Sequence, residues 1–515
     1  MNEPHVAMGH EAGAAEGRAS LNRKWDVAAI ALIALAMIRV ATTWTVFSAT
    51  IDEPMHLSAG LQIYEQHAFD LQRENPPLPR VVLSFAPWLG GIELKPDISE
   101  QLRLVFFSND RYKTNLVLAR CGNLLFFGIA AFAAWAWSRR ELGSLGGLLA
   151  VLLFTMQPVI YGFAGLGTHD MPATAGVALG LYAFARWLDH PDAKHAALFG
   201  AAFAFATLCK FSCIGYVPAA CIAMTIVRML RDRDARGLWK RMLPSFAIAL
   251  AVTLLTIWIG YAFHTEPFID GIRKLAEVDR LGHKSYILGE LRTTGWWYYF
   301  FIALALKSTL GSLLLFLCAF LAKQHRVAGE ALAAVAAILL VAMPSHLNLG
   351  IRYVLPLYAP LAVAAAAAAL LLLRTRLRFV AIALLAWHCG ASLLTHPDGF
   401  AYFNEAAGRE PWTILNDSNI DWGQDVLRLR NVARAKKINR LTTSVASISD
   451  IDRLGLPPRK DLEVFKPLHG WVAVSEYNLA FGRGISPEIA KWVDETFDGR
   501  EYERVGRSIR LYRFD

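Results

Sequence analysis

From Trp25 to Phe47 the chain carries an apolar run long enough to cross the roughly 30 Å hydrocarbon core of a bilayer, and comparable runs recur over its first three quarters. No soluble core accommodates that pattern, so a bundle of membrane-spanning helices is the architecture the sequence dictates. Composition agrees, with 55% hydrophobic and 18% charged residues among 515. The first run is too long for the apolar segment of a cleaved signal and follows Arg23 and Lys24, which marks it as an anchor that stays in the protein. Residues 1–22 ahead of it are expected to form a disordered cytoplasmic tail.

The net charge of +9 does not indicate nucleic acid, because the basic residues sit in short clusters between apolar runs rather than in one stripe. They read as topology signals: Arg23/Lys24, Arg139/Arg140, Arg186 to Lys194, Arg228 to Arg241, Lys323 to Arg326 and Arg374 to Arg378 belong in the cytoplasm. The alternating connections then face outward: residues 48–115, 164–170, a tight turn near Lys210, 264–294, 344–352 and everything after Thr395. That pattern needs about eleven helices. The expected organisation is a transmembrane module over 23–395 with a long first outward loop, then a small α/β domain over 396–515. In that second part the apolar runs shorten to strand size, at Leu441 to Ile448 and Gly470 to Ser475, and helices are expected at Asp425 to Ala435 and Pro487 to Thr496. A last strand is expected at Ser508 to Phe514, and in the first loop an amphipathic stretch from Ile98 to Val117. All six cysteines lie in or beside apolar runs, so structural disulfides are not expected.

Charge at a membrane boundary is costly and points to function. Asp52 and Glu53 follow the first span directly, in Thr50-Ile51-Asp52-Glu53-Pro54-Met55-His56. Further on, Arg73-Glu74-Asn75-Pro76-Pro77-Leu78-Pro79-Arg80 adds an acid and two bases around a rigid turn. Asp170, after His169 in a short outward turn, is a third acidic site; its structural alternative is a helix cap. On the same face lie Lys210, Lys307 and Arg352-Tyr353; a buried cation needs an anion, and arginine holds a phosphate through two parallel hydrogen bonds. Snorkelling for Lys210 and an internal salt bridge for Arg352 are the alternatives.

The order Asp52-Glu53, Pro76-Pro77-Leu78, Asp170 and Arg352-Tyr353 resembles the protein O-mannosyltransferases and their bacterial relatives, including the aminoarabinose transferases of lipid A. These are membrane-embedded glycosyltransferases of the GT-C class. The resemblance covers most of the first 400 residues and implies transfer of a sugar, with inversion, from a polyprenyl-phosphate donor to a protein, lipid or glycan acceptor on the periplasmic side of the inner membrane. It also implies that Asp52 or Glu53 is the acid at the acceptor, that Glu74 and Arg80 flank the family's His-Pro-Pro-Leu-type motif, and that Arg352 binds the donor phosphate. Asn75 stands where the mannosyltransferases often carry His. A later run, Tyr402 to Gly408 followed by Asn416-Asp417-Ser418-Asn419-Ile420-Asp421-Trp422-Gly423-Gln424-Asp425, is similar to a signature of bacterial members of the group. Asn419, Asp421 and Trp422 in it are suited to sugar hydroxyls and ring stacking, and an Asx-rich turn is the alternative.

The expected chemistry has Asp52 or Glu53, with Asp170, as catalytic carboxylates, and Arg352, Lys210 and Arg80 on the donor phosphate. His56, Glu74, Asn75, His169, Tyr353, Asn419, Asp421 and Trp422 line the substrate. A divalent metal held by the acids would serve the same end, and no compact ligand motif supports one. The competing reading is a transporter or flippase of a lipid-linked or anionic substrate, against which stand the clustering of charge at one face and the lack of a repeated half.

Overall fold

A computed structural model describes residues 4–231, 237–323 and 325–515, with side chains from residue 22 onward. The tail expected over residues 1–22 lies almost wholly outside those side chains. The first helices are α1 (Pro4–Ala41), α2 (Glu53–Gln66), α3 (Pro77–Leu89), α4 (Ile98–Leu104), α5 (Tyr112–Cys121), α6 (Asn123–Thr155) and α7 (Pro158–Ala164). The bundle continues through α8 (Asp170–Asp189), α9 (Ala193–Cys209), α10 (Cys213–Arg231), α11 (Leu238–Gly260) and α12 (Glu266–Leu281). After a hairpin of β1 (Ser285–Ile287) and β2 (Glu290–Arg292) come α13 (Tyr299–Lys307), α14 (Leu310–Cys318), α15 (Arg326–Ala342), α16 (Tyr358–Leu373) and α17 (Arg378–Thr395).

This is a multi-pass membrane protein. Among the described residues five helical segments are long and apolar enough to cross a bilayer, or six if α13 and α14, bent by 114° at their junction, count as one. α6 is two arms rather than one rod. Gly143 breaks it at φ 79°, and the second arm folds back until Phe154 lies 6.2 Å from Phe127. Arg139 and Arg140 sit beside that reversal, where the charge pattern places a connection between two spans. α16 is the centre of the bundle: Ala362 to Ala369 are buried, and side chains this small let neighbouring helices approach closely. The stretch from Ile98 to Val117 is not one amphipathic helix, because non-helical backbone at Ser108 and Asn109 separates α4 from α5.

The C-terminal part is the α/β domain its strand-sized runs suggest. β3 (Leu441–Ser444), β4 (Arg459–Asp461), β5 (Gly470–Ser475), β6 (Tyr502–Val505) and β7 (Ile509–Phe514) form one sheet in the order β4-β3-β5-β7-β6. β3 runs parallel to β4 and β5, and β7 antiparallel to β5 and β6. Alternation along β5 sends Ala473 to one face, against α18 (Val426–Ala435). Val472 and Val474 go to the other, against α19 (Glu476–Gly482) and α20 (Pro487–Phe497).

The end of the bundle remote from Asp52 is tied by charge. Arg228 of α10 donates to Glu330 of α15 at 2.6 and 2.8 Å and to Asp189 of α8 at 2.6 Å. Arg140 reaches the same Asp189 at 2.6 Å. Removing one partner of a buried pair leaves the other charge stranded, at a cost of about 3–5 kcal/mol. Arg228→Met is therefore expected to lower the thermal unfolding midpoint in detergent strongly. Arg326→Met, at a guanidinium 43% exposed, should change it little.

Candidate functional site

Glu53 begins α2 and is buried, and its carboxylate is fully engaged. Arg120 at the end of α5 meets it with two bonds of 2.7 Å, while the main-chain N–H groups of Thr50 and Gly167 donate at 2.8 and 2.7 Å. Burial acts to raise the Glu53 carboxyl, and the Arg120 guanidinium outweighs it, holding the acid below its ordinary range. The remaining Arg120 donors close on the carbonyls of Trp44, Phe47 and Ser48 at 3.0, 3.2 and 2.8 Å. One ion pair thus knots the exit of α1, the start of α2, the end of α5 and the turn before α8.

Asp52, one residue earlier, points elsewhere. It accepts from Arg352 at 2.8 Å and its side chain keeps 31% exposure. Asp170, at the first position of α8, accepts from Lys210 at 2.7 Å and, on its other oxygen, from Thr168 at 3.2 Å. Lys210 sits in the turn between α9 and α10, with its ammonium 4.7 Å from the Tyr353 ring. The Arg352 guanidinium lies 5.4 Å from that ring and 4.3 Å from the Trp422 ring. Two carboxylate–cation pairs from widely separated segments therefore share one aromatic wall. His56 and His169 lie beside them with rings 4.3 Å apart; burial lowers the His56 pKa despite the charge of Asp52 nearby, which favours neutral imidazole. Arg352 Nε and both His169 ring nitrogens are buried without a protein partner, which leaves hydrogen-bonding capacity that the protein does not use.

The segment 416–426 is built into this wall. The Ile51 N–H donates to the Trp422 carbonyl at 3.0 Å, and Ser48 is held by Gln424 and Gly423 at 2.9 and 2.8 Å. Asn419 accepts from the Ile351 N–H at 3.0 Å and donates to the Tyr299 hydroxyl at 2.9 Å. Trp422 stacks on Phe400 at 5.8 Å. Asp421 faces the C-terminal domain, accepting from the Tyr477 and Gly423 N–H groups at 2.9 and 3.2 Å, and burial pushes its carboxyl up to about 7. Lys307, at the α13 break, is fully buried without a carboxylate: its ammonium bonds the carbonyls of Phe400 and Asn419, so it positions this segment.

Three sequence expectations are corrected. Glu53 is no free base, because Arg120 and two N–H groups already occupy its oxygens. Arg80 is no phosphate ligand, because its guanidinium is spent on the carbonyls of Leu71, Asn75 and Pro76. Asp421 accepts its hydrogen bonds on the domain side, away from the ion pairs. Glu74 and Asn75 belong to the same turn as Arg80, packed behind His56, whose Nδ1 is 2.7 Å from the Gln72 amide oxygen. Two residues escaped the sequence reading. Arg120 could have been found as a lone cation in the apolar context Leu116 to Cys121. Asp417, in left-handed backbone at φ 57°, is buried near Arg352; burial pushes its carboxyl up to about 6, with the Arg352 charge opposing. The Asx-rich turn around it was the available signal. Among the described residues no group of three or more His, Cys, Asp or Glu side chains is placed to hold a metal ion.

The architecture is that of the membrane-embedded GT-C class. The chain is similar over 94% of its length, and over 97% of the other chain, to ArnT from Cupriavidus metallidurans in the apo state, with TM-score 0.54 and 14% identity. The structure of ArnT bound to undecaprenyl phosphate matches over the same shares with TM-score 0.51 and 14% identity. Residues 113–261 match the family described as dolichyl-phosphate-mannose-protein mannosyltransferase. No curated protein matches the chain.

The two adjacent acids should separate by stability. Glu53→Gln breaks a pair with 0% and 1% side-chain exposure and is expected to cost about 3–5 kcal/mol. Asp52→Asn, at a pair where Asp52 keeps 31% exposure and Arg352 retains the charges of Asp170 and Asp417 nearby, should lower the thermal unfolding midpoint less than Glu53→Gln does.

Proposed function

We propose that this protein is an inverting glycosyltransferase that moves a sugar from a polyprenyl-phosphate donor to an acceptor on the periplasmic face of the inner membrane. The observation that carries this is the placement of the part-exposed Asp52 carboxylate beside Arg352, with the Asp170–Lys210 pair against the same aromatic wall. The fold shared with ArnT, which has been crystallised with undecaprenyl phosphate, supports a lipid-phosphate donor here.

In this reading the acceptor hydroxyl gives its proton to Asp52 as its oxygen attacks the anomeric carbon from the side opposite the lipid phosphate. The bond from that carbon to the phosphate oxygen breaks, and the leaving group departs with the electron pair. Arg352 and Lys210 stabilise the charge that gathers on the phosphate, which needs electrostatic support more than a proton. Asp170 keeps the Lys210 ammonium aimed into the site, and neutral His56 and His169 add hydrogen-bonding positions without adding charge. Asp170 and Glu53 therefore act as positioning residues, and no covalent enzyme intermediate is required.

Two outcomes follow. Asp52→Asn is expected to slow transfer of radiolabelled sugar from synthetic polyprenyl-phosphate donors by about 10²–10⁴-fold, as loss of a general base does. A rate equal to wild type would remove Asp52 from the chemistry. Asp417 supplies a pH dependence. Below about pH 6 its carboxyl is mostly neutral, and above it the anion adds its field to that of Asp52 on Arg352 and opposes a phosphate there. The donor phosphodiester does not titrate in this range, so its affinity should fall as pH rises from 5 to 7. In Asp417→Asn the affinity should hold its acidic-side value throughout.

A further inference from the structure

A second cleft lies outside the ion-pair site. It has a volume of about 1180 Å³ and opens between the β1–β2 hairpin, the segment around Trp412 and the C-terminal domain. That is larger than the roughly 300–1,000 Å³ typical of a site for one small molecule, so its occupant is a chain of several units. We propose that this cleft binds an uncharged oligosaccharide, the acceptor glycan of the transfer proposed above, on which reading it rests.

The lining chooses the chemistry. Tyr286, Trp412 and Tyr502 supply aromatic surface, and Asn416, Glu476 and Arg510 supply planar hydrogen-bonding groups. Most of the charge is paired: Glu476 is buried and held by Arg510 at 2.8 and 2.9 Å and by Arg504 at 3.0 Å, while Glu410, Glu501 and Arg500 also line the cleft without an ion pair among the described residues, two acids against one base. Arg483, also in the lining, is bound to Asp494 and Asp498 at 2.6 and 2.7 Å. Arg504 lies 4.0 Å over the Trp412 ring and fixes it in the wall. Paired charges present fixed donors and acceptors with little net field, which suits sugar hydroxyls and disfavours a phosphorylated or strongly acidic ligand.

The cleft and the ion pairs are bordered by adjacent residues of one turn. Asn416 is in the cleft wall, with its side-chain amide donating to the Glu476 carbonyl at 3.1 Å, and Asp417, the next residue, lies near Arg352. On this proposal the 416–417 turn couples the glycan to the ion pairs, with Asn416 on the cleft side and Asp417 on the Arg352 side.

The test uses the full-length chain in detergent, without donor. Binding of fluorescein-labelled hexasaccharides, in neutral gluco-, manno- and galacto- series and a hexuronate series, is followed by anisotropy beside a labelled uncharged ten-residue peptide. At least one neutral series should bind, and Trp412→Ala should weaken it by about tenfold or more. Because Trp412→Ala risks the fold, Glu501→Trp is made in parallel: it places a bulky ring at an exposed lining position and should weaken binding by a similar factor. Binding of the peptide or the hexuronate alone, binding of nothing, or neutral-sugar binding indifferent to Glu501→Trp would each overturn the proposal. Transfer from the polyprenyl-phosphate donor is assayed separately with wild type, so loss of the transferase reading and loss of the glycan cleft register in different measurements.

Discussion

The buried pair of Glu53 and Arg120 is the constraint on which the site depends. Desolvating two charges is costly, and the cost is offset only because nearly every donor and acceptor on both side chains is used. That saturation has a geometric result. The exit of α1, the entry of α2 and the turn before α8 meet at fixed distances, so Asp52 and Asp170 take up their positions as consequences of a neighbour that does no chemistry. Adjacent acids in sequence thus divide into a buried member and a part-exposed one, because one faces into the knot and the other faces out of it.

The C-terminal domain is equally a part of the site. It has its own sheet and cores, and the segment 416–426 ahead of that sheet lies against the bundle. Asp425 fastens one end, accepting from the Arg507 and Ser508 N–H groups at 2.9 and 3.1 Å, and Lys307 fastens the other. Trp422 then places its ring against Arg352. The arginine is held between a carboxylate and an aromatic face, which fixes its plane while leaving Nε unpaired.

Much of this was legible in the sequence. Apolar runs and positive clusters pointed to a membrane bundle, and short, strand-sized apolar runs bounded by breaks pointed to β3 and β5, because these patterns follow from burial alone. Asp52, Asp170, Lys210 and Arg352, which the structure brings to one aromatic wall, stood out in the sequence because charge beside apolar sequence is rare. The roles of Glu53, Arg80 and Asp421 were misread for a shared reason: each makes its bonds to backbone groups or to a cation far away in sequence, and no local pattern records where a carbonyl points. The reversal at Gly143 was implied by charge, whereas its sharpness needed the packing of Phe127 on Phe154.

The bonds between Ser48 and the 423–424 backbone join residues 375 positions apart. Chains are made from the N-terminus, so the ribosome delivers Asp52 early and Arg352 much later, with the Trp422 wall later still. A nascent chain already inserted in the membrane therefore holds the acid and the arginine without the surface that encloses them. The enclosure of the two ion pairs is complete only after translation has passed this segment. A chain truncated before it lacks the carbonyls that hold Ser48 and Ile51 and the ring that covers Arg352, so the early acid and the late arginine are walled in together by the last part of the chain or not at all.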